Sequence, residues 1–494
     1  MPKRKDAVWS ATELAIRAVL SQVSKTPEGE IEREQSIFHL GLDSISAIKV
    51  SSLLRKQDVR LTVGEIMKNS SIGEMSALLE KRVDKASTES QIRDVDAVVA
   101  ASISHIDKAA LARDVGVEEE NIEDILPVSA GQLYLFARWE QTGGAQFEAN
   151  FQYKLTGAVD QERLEKAWEA LTKRHGILRT VFAFVDGEEV RAVQVIVKEK
   201  SNPVKYDSSA ETVVSLLQPA YLVVDEAEGQ KTISLRLIHA VYDGISLQLL
   251  MRDLETLYSN SDSTFPPPLS FKEFIARDLD EESRKQQKTF WESYLPRTES
   301  SSVLETPDLS RRVEIFKPSV PIGDVASAAK KAGVTVDALL LAAFSKAYES
   351  TKGTVGDETV IGLYLANRSA AADLSELVAP TLNLVPLRIQ DSSVGIENVA
   401  SGVQRDLLTV SEVENVGVSL ADVWRWTGRR VGVFVNVLKT PSDEGGNEKV
   451  SELFAESLSE VDMLRPRAEI IDVLPKPSLI TSFAERQDLG EAYL

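Results

Sequence analysis

The stretch "TISLRLIHAVYDGIS", residues 232–246, changes its period halfway along. Ile233, Leu235, Leu237 and His239 fall on one side of an alternating pattern, which predicts a strand with one face turned to a core. The following "ISLQLLMRDLETLY" (245–258) carries apolar residues at helical spacing. Strand, loop and helix in that order are the building unit of an α/β layer. Upstream, "DQERLEKAWEALTKRHG" (160–176) predicts a helix that leads into the strand-like "ILRTVFAF" (177–184), and "EVRAVQVIV" (189–197) alternates. Downstream, "DVASAAKKAGVTVDALLLAAFSKAYES" (324–350) reads as one helix, and "TVIGLYLAN" (359–367), "TLNLVPLRI" (381–389) and "VGVFVNVL" (431–438) read as strands. Two α/β lobes dividing near residues 295–310 are the natural packing. The chain shows no repeat period, and its one low-complexity patch is "PPP" at 266–268.

The loop of the opening stretch holds the candidate chemistry. A histidine at a strand end reaches a cleft and exchanges protons near neutral pH. Asp243 and Gly244 follow His239 just before the next helix, whose N-terminal peptides, Gly244 among them, suit a developing negative charge. One His near one Asp leaves a hydrogen-bonded structural histidine equally open.

Residues 1–85 differ from the rest. They hold 14 Lys and Arg against 12 Asp and Glu, whereas the remainder holds 42 against 64, and the polar "VDKASTESQIRDVD" (83–96) follows. This is a domain boundary signal. Within the first unit "ATELAIRAVLSQV" (11–23), "DSISAIKVSSLLRK" (43–56) and "SIGEMSALLEKR" (71–82) predict helices, the last opening with a Ser71–Glu74 capping box. In "FHLGLDSISAIKV" (38–50), Asp43 or Ser44 sits at a helix N-terminus, where free N–H groups and the helix dipole favour a phosphate. Ser44 as a plain N-cap is the competing reading.

Composition narrows the rest. The net charge of −20 opposes nucleic-acid binding. The absence of Cys removes disulfides, thiol catalysis and thiolate metal sites, and four histidines (His39, His105, His175, His239) argue against a multi-His metal centre. "MPKRKDAVWSATELA" lacks an apolar h-region and "ALLLAAF" (338–344) is far short of a membrane span, so a cytoplasmic protein without a membrane partner is expected.

Two groups of motifs carry a family resemblance. "LGLDSISAIKV" (40–50) resembles the attachment motif of thiolation (peptidyl carrier) domains of nonribosomal peptide synthetases, with Ser44 at the serine that receives 4′-phosphopantetheine. "IHAVYDG" (238–244) is similar to the HHxxxDG motif of condensation domains; "LPVSAGQLYLFARW" (126–139), "KRHGILRTVF" (173–182) and "IGLYLANRS" (361–369) stand in family order around it. The resemblance implies a small all-α four-helix carrier bundle followed by a two-lobed α/β condensation domain of the chloramphenicol-acetyltransferase type. The corresponding bounds are carrier 1–85, linker 86–119, N-terminal lobe 120–300 and C-terminal lobe 301–494. It further implies that His239 is the catalytic histidine, that Asp243 pairs with Arg368 as support together with Gly244, and that His175 and Arg179 brace the lobe.

Two departures stand out. Ile238 replaces the first motif histidine, and no HxxxPF motif follows residue 400, where "LADVWRWTG" (420–428) stands instead. "LVAPTLNLVPLRI" (377–389) and "GLYLANRS" (362–369) look like ferrichrome-type fungal siderophore synthetases. By domain order, Ser44 would present an acyl or peptidyl thioester that the condensation domain joins to an amine, elongating a chain or closing and releasing a macrocycle. The expected partners are adenylation, carrier and condensation domains of the same synthetase and a phosphopantetheinyl transferase; no phosphate loop for self-charging is present. A condensation-like domain that binds carriers without chemistry is the alternative, suggested by Ile238.

Overall fold

The computed structural model describes residues 9–437 except 86–93, 142–146, 156–158, 187–191, 207–213, 228–229, 262, 280, 298–319, 353–357, 369–373, 391–393, 412, 414–416, 430 and 432. Most of the expected lobe division, and the second lobe beyond residue 437, lie outside the described residues.

The first unit is a bundle of α1 (Ala11–Ser24), α2 (Ser44–Arg55), α3 (Val63–Lys68) and α4 (Ile72–Lys85). Each start is written in the sequence. Ser10 and Glu13 form a capping box on α1, Thr62 and Glu65 one on α3, and Ser71 and Glu74 the one expected on α4. Ile16, Leu20, Ala47, Val50, Leu54, Ile66 and their neighbours are buried between the helices. Each buried Val, Leu or Ile among them contributes about 1.5–3 kcal/mol by leaving water.

Two helices occupy the stretch expected as linker, α5 (Val95–Ser102) and α6 (Lys108–Asp114), capped by Asp94 and Asp107. Val99 packs with Leu126 and Phe274, and Leu111 and Val115 cover Val193 and Val195, so both helices lie on the first lobe.

That lobe contains β1 (Ile122–Pro127), α7 (Ala130–Gln141), β2 (Glu148–Lys154), α8 (Gln161–Arg174), β3 (Thr180–Phe184) and β4 (Ala192–Val197). It continues through β5 (Lys205–Tyr206), β6 (Ala220–Ala227), β7 (Gln230–Ile238), α9 (Gly244–Ser259), α10 (Phe271–Ile275) and α11 (Glu281–Tyr294). Its strands form an antiparallel sheet ordered β1-β4-β3 and a second sheet ordered β2-β7-β6-β5. The alternation expected for β4 does not produce an exposed face: Gln194 is fully buried, its amide bonded to the Pro127 carbonyl and to Gln132. A satisfied amide is tolerated where a bare one would be costly.

The second lobe contains α12 (Ile322–Ala332), α13 (Val336–Lys352), β8 (Thr359–Ala366), β9 (Leu382–Ile389), α14 (Ile396–Ser411), α15 (Leu420–Thr427) and β10 (Phe434–Val435). Its sheet runs β10-β8-β9, with β10 parallel to β8; among the described residues β9 is an edge strand, where Pro386 is tolerated. The single helix expected over 324–350 is two. Gly333, at φ +69°, ends α12 by donating to the Ala329 and Lys330 carbonyls, and Thr335 starts α13 by accepting from Ala338 N–H. Trp291, Tyr294 and Leu295 at the end of α11 lie in the second lobe's core.

Candidate functional site

The approach to Ser44 is built by a 3₁₀ turn, Ile37–Leu40, capped by Ser36 and closed by Gly41 at φ +82°, a left-handed conformation that glycine adopts without strain. Asp43 is the N-cap of α2: its Oδ1 accepts from Ser46 N–H at 2.9 Å and Ser46 Oγ at 2.8 Å. Ser44 is therefore the first helical residue, and the N-cap is Asp43. It starts a twelve-residue helix, whose dipole favours an attached phosphate. The carrier meets the second lobe here. A Cβ at Gly333 would collide with the His39 ring, a Cβ at Gly41 would stand 3.6 Å from Lys330 Cδ, and Leu408 of α14 packs against the bundle core.

His239 is the first residue after β7, on a one-turn 3₁₀ helix, His239–Val241. Its N–H donates to the Phe147 carbonyl at 2.8 Å. Phe147 itself holds φ +60°, uncommon for a residue with a side chain, and its ring meets the imidazole edge-on at 5.9 Å. Tyr242 stacks on the imidazole with ring centres 4.4 Å apart. His239 Nδ1 lies 3.1 Å from the Tyr242 carbonyl. A carbonyl can only accept, so Nδ1 carries the proton and Nε2 keeps its lone pair. Nε2 has no partner among the described residues. Burial pushes the His239 pKa down against smaller upward pulls from backbone bonds and Asp243, which keeps the ring neutral near pH 7.

Asp243 serves a different purpose. Its carboxylate takes Arg368 Nη2 at 2.7 and 2.8 Å and Nε at 3.2 Å, along with Thr381 N–H and Oγ1 and the Ile245 and Ser246 N–H groups. Arg368 also donates to the Leu374, Leu377 and Ala379 carbonyls. Burial alone would raise the Asp243 pKa; the Arg368 charge and the N–H donors outweigh it and hold the carboxyl below its ordinary value. An ionised, fully engaged carboxylate has no lone pair to offer as a base. It caps α9 and ties that helix to the second lobe. Gly244, the first residue of α9, faces open space, and its N–H has no acceptor among the described residues.

Ile238 is 1% exposed and pairs with Glu148 inside the first lobe's core. Its side chain joins Leu235 and Leu237 in that core, so the position where the motif has its first histidine is filled here by an aliphatic core residue. His175 and Arg179 lie in the lobe's frame: His175 Nε2 bonds Asp253 at 2.9 Å, and Arg179 donates to Glu123, the Thr172 carbonyl and the Val197 carbonyl. Sequence reasoning did not single out Gln132, Tyr134, Phe147, Tyr242 or Tyr364. Four of these lie inside the quoted motifs and Phe147 does not, but the contacts of Gln132 with Ala240, of Phe147 with His239 and of Tyr134 with Tyr364 join residues distant in sequence. Among the described residues no cluster could hold a metal ion, and no helix is long and apolar enough to cross a membrane.

Known families match both units of the chain. The condensation-domain family model matches residues 122–213 and 215–422, and the phosphopantetheine attachment site model matches 15–79. "Nonribosomal peptide synthetase 2" of Cochliobolus heterostrophus is 36% identical over 466 residues, covering 90% of this chain and 8% of that protein. "Nonribosomal peptide synthetase sidC" of Arthroderma benhamiae is 34% identical over 463 residues, covering 88% and 9%. This chain thus spans about a tenth of the length of these curated relatives. A solved structure described as "The crystal structure of SeMet-CT" has a TM-score of 0.51 at 19% identity, over 71% of this chain and 80% of that one, which shows a shared fold. With the two lobes, the His239 loop and the preceding helical bundle in place, the chain belongs to the condensation-domain family of nonribosomal peptide synthetases and carries a phosphopantetheine attachment domain ahead of that domain.

Proposed function

We propose that Ser44 receives the 4′-phosphopantetheine arm and that His239 is the base for amide formation between the acyl or peptidyl group so carried and an incoming amine. The observation that carries this reading is the His239 ring: neutral, held by Nδ1–H on the Tyr242 carbonyl, with Nε2 unpartnered. The arm supplies a thiol on which the acyl group travels as a thioester. His239 Nε2 would take the amine's proton as the C–N bond forms, the Gly244 N–H at the positive end of α9 would meet the oxygen on which charge develops, and the C–S bond of the thioester would then break with the proton passing to the departing thiolate. Tethering raises the effective concentration of the reacting ends, to the order of millimolar.

Ile238 does not count against this chemistry, because its side chain packs in the core. That favours catalysis over mere carrier binding. The resemblance to ferrichrome-type synthetases supports a siderophore peptide as product, closed to a macrocycle when the amine belongs to the same peptide. The partners are a phosphopantetheinyl transferase and the charging and neighbouring modules of the same synthetase, and a cysteine-free chain that borrows its thiol suits the cytoplasm. Intact-mass measurement after incubation with coenzyme A and a phosphopantetheinyl transferase tests the first step. One added arm on wild type and none on Ser44→Ala are expected; an arm on the alanine variant would remove the assignment.

A further inference from the structure

One turn of helix touches both the His239 loop and the second lobe. At the start of α7, Gly131 lies so close to the Leu382 carbonyl of β9 that a Cβ would overlap its oxygen. Gln132, 1% exposed, donates Nε2–H to the Ala240 carbonyl at 3.0 Å, on the residue that follows His239. The rest of its amide is fixed: Oε1 accepts from Ser129 N–H at 2.9 Å in a capping box, and Gln194 is bonded to both ends. Tyr134, a half-turn on, has its hydroxyl 3.3 Å from that of Tyr364 on β8 and its ring edge-on to Phe147 at 6.2 Å. Phe147 is in turn the ring that meets His239.

We propose that Gln132 is a positioning residue that couples the seam between the lobes to the orientation of His239. Gly131 and Tyr134 register where β8 and β9 stand, and Gln132, on the same rigid turn, holds the Ala240 carbonyl and with it the 3₁₀ turn that carries the imidazole. Separation of the lobes at this seam therefore releases the His239 turn, and closure restores it. The inference rests on His239 as the base, yet its physical content is the state of the ring, which can be read without turnover. The ionisable groups around that ring are Tyr242 on its own turn, Asp243 with Arg368 behind it, Tyr153 on β2, and Tyr134 with Tyr364 at the seam. Gln132→Met replaces none of them and adds no charge.

The experiment uses the full chain labelled at histidine Cε1. Four histidines give four signals, and the one lost in His239→Ala is assigned. Gln132→Met keeps the volume and removes the donor to Ala240. In that variant the His239 titration midpoint is expected to move upward, toward an ordinary imidazole, because a loosened turn admits water; the His175 midpoint stays where it is. Amide formation falls by about ten- to a hundredfold with arm attachment at Ser44 unchanged, the usual effect of misplacing a reacting group. Tyr364→Phe, which removes only the hydroxyl across the seam, is expected to move the His239 midpoint the same way by less. An unmoved His239 midpoint in a folded Gln132→Met protein overturns the proposal, as does an unmoved midpoint in Tyr364→Phe should the first variant fail to fold. A midpoint that moves while His239→Ala retains full activity would remove His239 as base and leave the coupling standing.

Discussion

Replacing Asp243 by alanine removes the carboxylate on which the two lobes meet. Arg368, with 2% of its side chain exposed, would keep its charge and its three carbonyl contacts but lose its counter-ion. Stranding a buried charge in this way costs about 3–5 kcal/mol. The same change removes the cap of α9, worth about 1 kcal/mol, and leaves Thr381 N–H and Oγ1 without their acceptor. These losses share one carboxylate and do not simply add. Against a typical domain stability of about 5–15 kcal/mol they remove a large part. The pair is fully charged at pH 7: a folded-state pKa held below the unfolded value of about 3.9 gives stability that is present above that pH and lost as pH falls through the lowered pKa. Urea unfolding followed by tryptophan fluorescence reads the effect, since Trp139, Trp168, Trp291, Trp424 and Trp426 all lie outside the carrier and only Trp9 within it. The midpoint should fall sharply in Asp243→Ala and less in Asp243→Asn, which keeps a capping oxygen. Arm attachment at Ser44 should persist in both. A wild-type midpoint for Asp243→Ala would refute the structural role, and if amide formation were lost at the same time Asp243 would have to act on the substrate.

Gly131→Ala introduces a methyl group where the Leu382 carbonyl already stands, so the lobes must part at that seam; amide formation should drop while the mass added at Ser44 is unchanged, as an acylation time course would show. Because His239 acts as a base only when neutral and its pKa is lowered by burial, amide formation should persist below the ordinary imidazole pKa of about 6.5 and fall only as pH drops through the lowered value. A pH–rate profile from loaded carrier checks this, and an acid limb above that ordinary value would contradict it.

Features that depend on near neighbours are legible from local signals. The Ser71–Glu74 box, the strand-to-helix change across 232–246 and the Asp43–Ser44 helix start all appear as read, because capping and periodicity act over a few residues. The break at Gly333 was also local: a glycine followed by Val and Thr is a stop and a new cap, overlooked beneath a long apolar pattern. Asp94 and Asp107 likewise announce two short helices in a polar stretch. Other features had no such signal. Tyr134 and Tyr364 are 230 residues apart, and Trp291, with Tyr294 and Leu295, joins a core whose other buried members begin at Ala329. Burial of Gln194 depends on the partner amide of Gln132, and the core placement of Ile238 depends on pairing with β2. The Asp243–Arg368 pair was legible only through the family motif, since nothing local links residues so far apart.

The most direct test of the proposed chemistry is single-turnover amide formation from Ser44 loaded with an acyl or peptidyl group, wild type against His239→Ala at equal loading. A fall of about a hundredfold or more in the variant, the usual worth of a positioned acid–base group, is the expected result. Equal rates from the two proteins would contradict the role of His239.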